Sequence, residues 1–215
     1  MSMIFDVFHD KKKPGHGRMN VFRTVVRGVL AMALMAFTGC GDLQYVKTAP
    51  EARTFRPKTI GVLPVDVGIN TEAKGTIDKI IAEDLTRRKW FQKVLPSAAI
   101  QDGLSEDKEL EKAVTDYLSK LATVNFSDPD LSKKMGSVFH VDALLVSTLD
   151  FWEYTTLGEK KVARIGIAMT LVDADSGTVI WSARHEVQEK YRWFRPELSK
   201  VAGKTVGLVI DRMPH

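Results

Sequence analysis

The chain has 215 residues, 44% of them hydrophobic and 27% charged, with 31 Lys/Arg against 27 Asp/Glu and a formal net charge of +4. That length suits one domain with an ordinary apolar core, and a single cysteine excludes a disulfide-stapled scaffold. The positive surplus suggests nucleic acid, but residues 1–39 hold six of the basic and two of the acidic residues, leaving 25 of each in the rest, which is neutral.

Arg23 and Arg27 precede an uncharged, mostly apolar run of ten residues, Gly28 to Phe37. Such a run matches the apolar core of a signal peptide and is too short for a membrane-spanning helix, which needs about 20 residues. Phe37-Thr38-Gly39-Cys40 follows at once. It resembles the lipobox of lipoprotein signal peptidase, with Phe37 in place of the usual Leu. Small residues precede the scissile bond, and a thiol after it can take a diacylglyceryl group. Residues 1–39 are therefore expected to be a lipoprotein signal peptide, cleaved between Gly39 and Cys40, with Cys40 as the lipid-bearing first residue of the mature chain. Lipidation also accounts for a lone cysteine in an exported protein. Translation is expected from Met1 or from Met19, where a signal peptide of ordinary length begins. Gly41, rather than Asp, resembles an outer-membrane address, so the expected location is the cell envelope, at the periplasmic face of the outer membrane.

Residues 40–58, with Pro50 and Pro57, read as the lipidated Cys and a flexible tether; residues 41–58, fully extended, would reach about 60 Å. A single domain is expected over 59–215. Thr59 to Val65 reads as a buried first strand ended by Pro64. Asn70 or Thr71 is the candidate cap of a helix with Ile77, Ile80, Ile81 and Leu85 on one face. Lys93 to Pro96 is a short strand. Glu109 to Thr123 forms a helix with a stripe of Leu110, Ala113, Val114, Tyr117, Leu118 and Leu121. Asp128-Pro129 caps and opens a short helix to about Phe139. Val141 to Leu149 is the next strand. Val162 to Val172 alternates, with Ile165, Ile167, Met169 and Leu171 on one face. After the turn cluster Asp173 to Gly177, Thr178 to Val187 places Val179, Trp181, Ala183, His185 and Val187 on one face, completing an antiparallel hairpin. Pro196 opens a last amphipathic helix. The fold class is α+β, a mixed β-sheet of four to five strands with helices packed against it.

Three stretches carry a likeness to a known family: Ile60 to Val65, Val141 to Val146, and Leu171 to Ser182. With the lipobox, they resemble envelope lipoproteins whose domain is similar to the amino-terminal domain of TolB. That group includes the curli secretion channel lipoprotein CsgG, the penicillin-binding-protein activator LpoB and a Gram-negative lipoprotein group of undefined role. The resemblance implies a non-catalytic assembly or regulatory role through protein contacts. The long amphipathic segments of a pore are not evident. A subunit of a homo-oligomeric export complex, and a small-ligand or cell-wall binding module, are the alternatives.

The residues offer little catalytic chemistry. His185-Glu186 lacks the second His of a zinc-protease helix and sits in a strand, so a core or edge histidine is expected. Asp173 and Asp175 fit a turn better than a calcium loop. There is no Gly-x-Ser-x-Gly elbow and no phosphate or dinucleotide Gly-rich loop. No enzyme, no metal site and no cofactor beyond the lipid on Cys40 is expected. Two aromatic groups stand out, Phe151-Trp152-Glu153-Tyr154 and Tyr191-Arg192-Trp193-Phe194-Arg195. Consecutive aromatics cannot all point inward from one strand. Trp152, Tyr154, Tyr191, Trp193 and Phe194 are the candidate partner-binding residues, against a satellite cluster sealing the hairpin.

Overall fold

A computed structural model describes residues 43–124 and 127–215. The expected signal peptide, its cleavage site at Gly39 and the lipidation site Cys40 lie outside the described residues. The elements in chain order are β1 (Tyr45–Thr48), β2 (Thr59–Val62), α1 (Thr76–Arg88), β3 (Lys93–Leu95), α2 (Ser97–Glu106), α3 (Lys108–Val124), α4 (Pro129–Phe139), β4 (Ala143–Leu157), β5 (Lys160–Asp173), β6 (Val179–Tyr191) and α5 (Leu198–Ile210). The architecture is α+β, as the residue pattern predicts. One sheet of six strands has the order β1-β6-β5-β4-β2-β3, one strand more than the upper bound of the four to five expected. The added strand is β1. It comes from the segment read as a tether, and pairs antiparallel with β6 from Tyr45 opposite Arg184 to Thr48 opposite Trp181. Leu43 packs against the core as well, so the sequence from 43 onward is bound to the domain and the expected 60 Å reach is corrected.

Helices cover the sheet on both faces. On one, α1 and α5 meet Ile60, Val62, Leu145, Leu149, Ile165, Ile167 and Trp181 in a continuous buried cluster. On the other, α2, α3 and α4 bury Leu144, Val172 and Ala174 beneath Ile100, Leu110, Tyr117, Met135 and Phe139. This second layer explains why Ala143 to Val146 is an unbroken apolar run, since a strand covered on both faces has no solvent face to alternate with.

Local polar groups set the ends of these elements. α1 starts at Gly75, with φ of 76°, rather than at Asn70 or Thr71, which enter a short 3-10 turn over Thr71–Ala73. The buried carboxylate of Asp78 accepts from the backbone N–H of Gly75 at 3.1 Å and from that of Val65 at 2.9 Å, joining the helix start to the strand that precedes it. Asp128 accepts from Leu131 N–H and Pro129 takes the first position of α4, the cap its sequence predicts. At the far end of α1, Asp84 pairs with Arg87 and Arg88, and Arg88 also reaches Asp211 at 2.6 Å and the Gly207 carbonyl at 3.1 Å, tying α1 to α5.

Two irregularities redirect side chains in the long hairpins. The β4–β5 register shifts between Leu149 and Phe151, and the β5–β6 register shifts between Leu171 and Val172. One extra residue in a strand exchanges its faces from that point on. Val179 accordingly packs with the α2–α4 layer, while Ile180 and Trp181 both join the opposite core; this corrects the expectation that Val179 and Trp181 share a face. β4 to β6 also run well past the segments expected, to Leu157, Lys160 and Tyr191.

Candidate functional site

The extended ends of β4, β5 and β6 bring the two aromatic groups together. Tyr154 and Tyr191 lie on the α5 side of the sheet, with ring centroids 5.8 Å apart and planes at 83°, an edge-to-face contact. The Tyr154 hydroxyl donates to the Pro196 carbonyl at 2.8 Å, and the Arg195 guanidinium stands over the Tyr154 ring at 5.1 Å. These contacts hold the connection from β6 to α5 against the strand ends. Trp193 and Phe194, inside that connection, are each 90% exposed. Burial of an aromatic of this size is among the larger single contributions to folding, so two adjacent ones left in solvent on a pinned segment are unusual in a monomeric surface.

Trp152 does not belong to this group. It is only 6% exposed and lies in the core opposite Ile165, correcting the expectation that it faces a partner. The cause is the shift at Asp150. In unbroken alternation Leu149 would put Phe151 inward, but the extra residue turns Trp152 in and Phe151 out. Phe151 then lies across Gly166, where an added Cβ would stand 2.7 Å from its ring, and carries the Arg164 guanidinium 3.4 Å from its ring centroid.

Basic side chains surround the exposed aromatics. Lys160 and Lys161 open β5, and Lys190 and Arg192 flank Tyr191; all four are exposed and, with Glu159 and Trp193, line a recess of 680 Å³. Sequence reading missed Lys160, Lys161 and Lys190, because it ended the strands too early to place the Gly158 turn beside residues 190–193. The alternation continued from Trp152 to Thr155 was the available signal. Over residues 159–161 and 190–195 there are five basic residues and one acidic, whereas residues 40–215 are neutral as a whole, so the charge is segregated to this end.

The neighbouring face of the sheet, beyond α2–α4, is polar and internally paired. Arg164 donates to both Glu186 oxygens at 2.7 and 3.0 Å and reaches Glu153 at 3.4 Å, while Arg184 pairs with Asp150. Hydrogen bonds from Arg164 hold the Glu186 carboxyl below its usual range. Thr148, Asp150, Ala168, Thr170, Ser182 and Arg184 line an open recess of 280 Å³ there.

The histidines are dispersed. His185 lies on the apolar face of β6 as expected; its Nδ1 is buried without a hydrogen-bond partner, and burial pushes its pKa down against the pull of Glu186. His140 caps α4 in the left-handed region at φ 53°, and His215 stacks on Trp90 at 3.8 Å. Among the described residues no group of three or more His, Cys, Asp or Glu is placed to hold a metal ion. Asp173 accepts from Asp175 N–H and the Ser176 hydroxyl, shaping the β5–β6 turn. A recess of 790 Å³ lies away from the aromatics, between α1 and α2, lined by residues such as Asp78, Ala82, Val94 and Ala98; a ligand cleft near the aromatic groups has only the smaller recess. No helix of the described residues is long and apolar enough to cross a membrane.

No family model matches the chain, and no curated protein matches it. Among solved structures, it is similar to the PelC dodecamer from Paraburkholderia phytofirmans, at 17% identity over 77% of this chain and 92% of that one, with a TM-score of 0.49. It is similar to lipoprotein GNA1162 from Neisseria meningitidis, at 19% identity over 73% of this chain and 97% of that one, with a TM-score of 0.49. Protein XCC0632 from Xanthomonas campestris is 9% identical over 72% of this chain and 81% of that one, with a TM-score of 0.42. Likenesses at this identity and superposition carry neither a family nor an activity to this chain.

Proposed function

We propose that this chain is an envelope lipoprotein, anchored through lipid on Cys40, that acts as a non-catalytic assembly or regulatory accessory by contact with other envelope components. The location that fits this reading is the periplasmic face of the outer membrane, from the lipobox-like Phe37 to Cys40 and from Gly41. The observation that carries the contact reading is the pair Trp193 and Phe194, 90% exposed on a segment pinned by Tyr154. Aromatics held rigid in solvent lose little conformational freedom on binding, so an envelope surface covering them, protein or bilayer, gains most of their burial energy. The polar face around Thr170 and Arg184, bordered by Leu121 of α3, offers a second surface, suited to a polar protein contact.

Photo-crosslinkers placed singly at Thr170 and at Trp193 in living cells, with the adducts identified after purification of the lipidated protein, test this. A discrete heteromeric protein adduct from at least one position is expected. The absence of any protein adduct from both positions overturns the accessory reading. A regular ladder of self-adducts overturns it too, in favour of a homo-oligomeric export assembly.

A further inference from the structure

The register of β1 bears on which surface faces the membrane. Tyr45 lies opposite Arg184 and Thr48 opposite Trp181, so moving toward the N-terminus along β1 is moving toward Tyr191 along β6. The chain therefore leaves the domain toward the end of the sheet that carries Trp193 and Phe194. Leu43, the first described residue, is packed on the core.

The composition of that end matches a bilayer boundary. Of the nine exposed large hydrophobics among the described residues, Tyr154, Leu157, Trp193 and Phe194 cluster at the strand ends, and Tyr45 and Val46 lie in β1 on the path to the anchor. Lys160, Lys161, Lys190 and Arg192 surround them. Trp at the headgroup level, with long basic side chains beside it, is the pattern of an interfacial contact, and anionic headgroups attract the local positive charge. One acyl signal holds a protein weakly, and a second, apolar and basic, makes the attachment stable and oriented.

We propose that Trp193 and Phe194, beside these four basic residues, insert into the interface of an anionic bilayer and give the domain a second attachment to the membrane that holds its lipid. The inference rests on the reading of Cys40 as the anchor. It leaves the polar face around Thr170, bordered by α3, to protein partners.

The full-length lipidated protein, reconstituted into phosphatidylethanolamine and phosphatidylglycerol vesicles with brominated acyl chains, provides the test. The chain has four tryptophans, of which Trp152 and Trp181 are buried and Trp90 is partly so, leaving Trp193 as the exposed reporter. Intrinsic fluorescence is expected to be quenched by the bromolipid about twofold more in the wild type than in Trp193→Phe. Reversing Lys160 and Lys161 together to Glu is expected to reduce that quenching. Equal quenching in wild type and Trp193→Phe, with Cys40 shown by mass spectrometry to carry lipid, overturns this inference and leaves the anchor reading standing. Cys40 without lipid in the same spectrum overturns the anchor reading, and this inference with it.

Discussion

The same three strands behave differently at their two ends. Where β4 begins and β5 ends, Leu144, Leu145, Leu171 and Val172 are all fully buried, because helices lie on both faces. Where β4 ends and β5 begins, Trp152 and Ile165 still face a core, but the opposite face carries Glu153, Arg164 and Glu186, and the tips carry lysines and open aromatics. Backbone pairing runs to both ends apart from the two register shifts, so hydrogen bonding does not make the difference. The second layer of helices does. A strand segment needs apolar residues on both faces only where something covers both, and beyond that cover the outer face must satisfy water or a partner.

The sharpest contrast is between two tryptophans. Trp181→Ala, at a fully buried position, is expected to lower stability by about 3–5 kcal/mol in chemical denaturation, since transfer and cavity costs add. A loss below about 1 kcal/mol would show that the β6 core is loosely packed. The turn joining the covered ends should be next in sensitivity. Gly177 has φ of 70° and a Cβ there would stand 2.6 Å from the Cα of Pro129, which is backbone, so Gly177→Ala is expected to cost about 2 kcal/mol. Gly158, also at positive φ but with open space around it, should lose less on the same change, as thermal melts can show.

On the polar face, Arg164→Met removes the donor to both Glu186 oxygens and leaves that carboxylate mostly buried, with an expected loss of about 1–2 kcal/mol. His185 tests the strip between the two ends. Burial holds its pKa below the ordinary 6.5, so as pH falls the unfolded chain takes up the proton first. Its contribution is intact above 6.5 and is lost as pH falls through the lower folded value. A melting temperature that declines from pH 7 to pH 5, with a flatter profile in His185→Phe, is the expected result. Stability in Trp193→Ser should change least, within about 0.5 kcal/mol, because the side chain touches little of the fold. A large loss there would move Trp193 from the contact surface into the structural core of the loop.

Much of this fold is legible from residue order alone. Period-2 alternation from Val162 to Val172 sets the inward face of β5, because side chains of a strand must alternate. Asp128-Pro129 starts α4, since one supplies an acceptor for an orphan N–H and the other has no N–H to satisfy. Asp173 to Gly177 closes the hairpin, with Gly177 in the left-handed region. The α2 helix, whose first turn has no side-chain cap, and the edge strand β1, with four exposed residues, carry weak local signals and escaped the sequence reading.

What the sequence by itself determined is the set of elements with strong local period or cap, the α+β class, and the gathering of aromatics in two short stretches. Tertiary structure alone decided which of those aromatics is exposed. The extra residue at Asp150 turned Trp152 inward, and a bulge depends on pairing with a distant strand, which no local pattern records. It also decided that the segment after Leu43 is bound as an edge strand, because four exposed residues gain their order from the backbone of β6 and not from their own side chains.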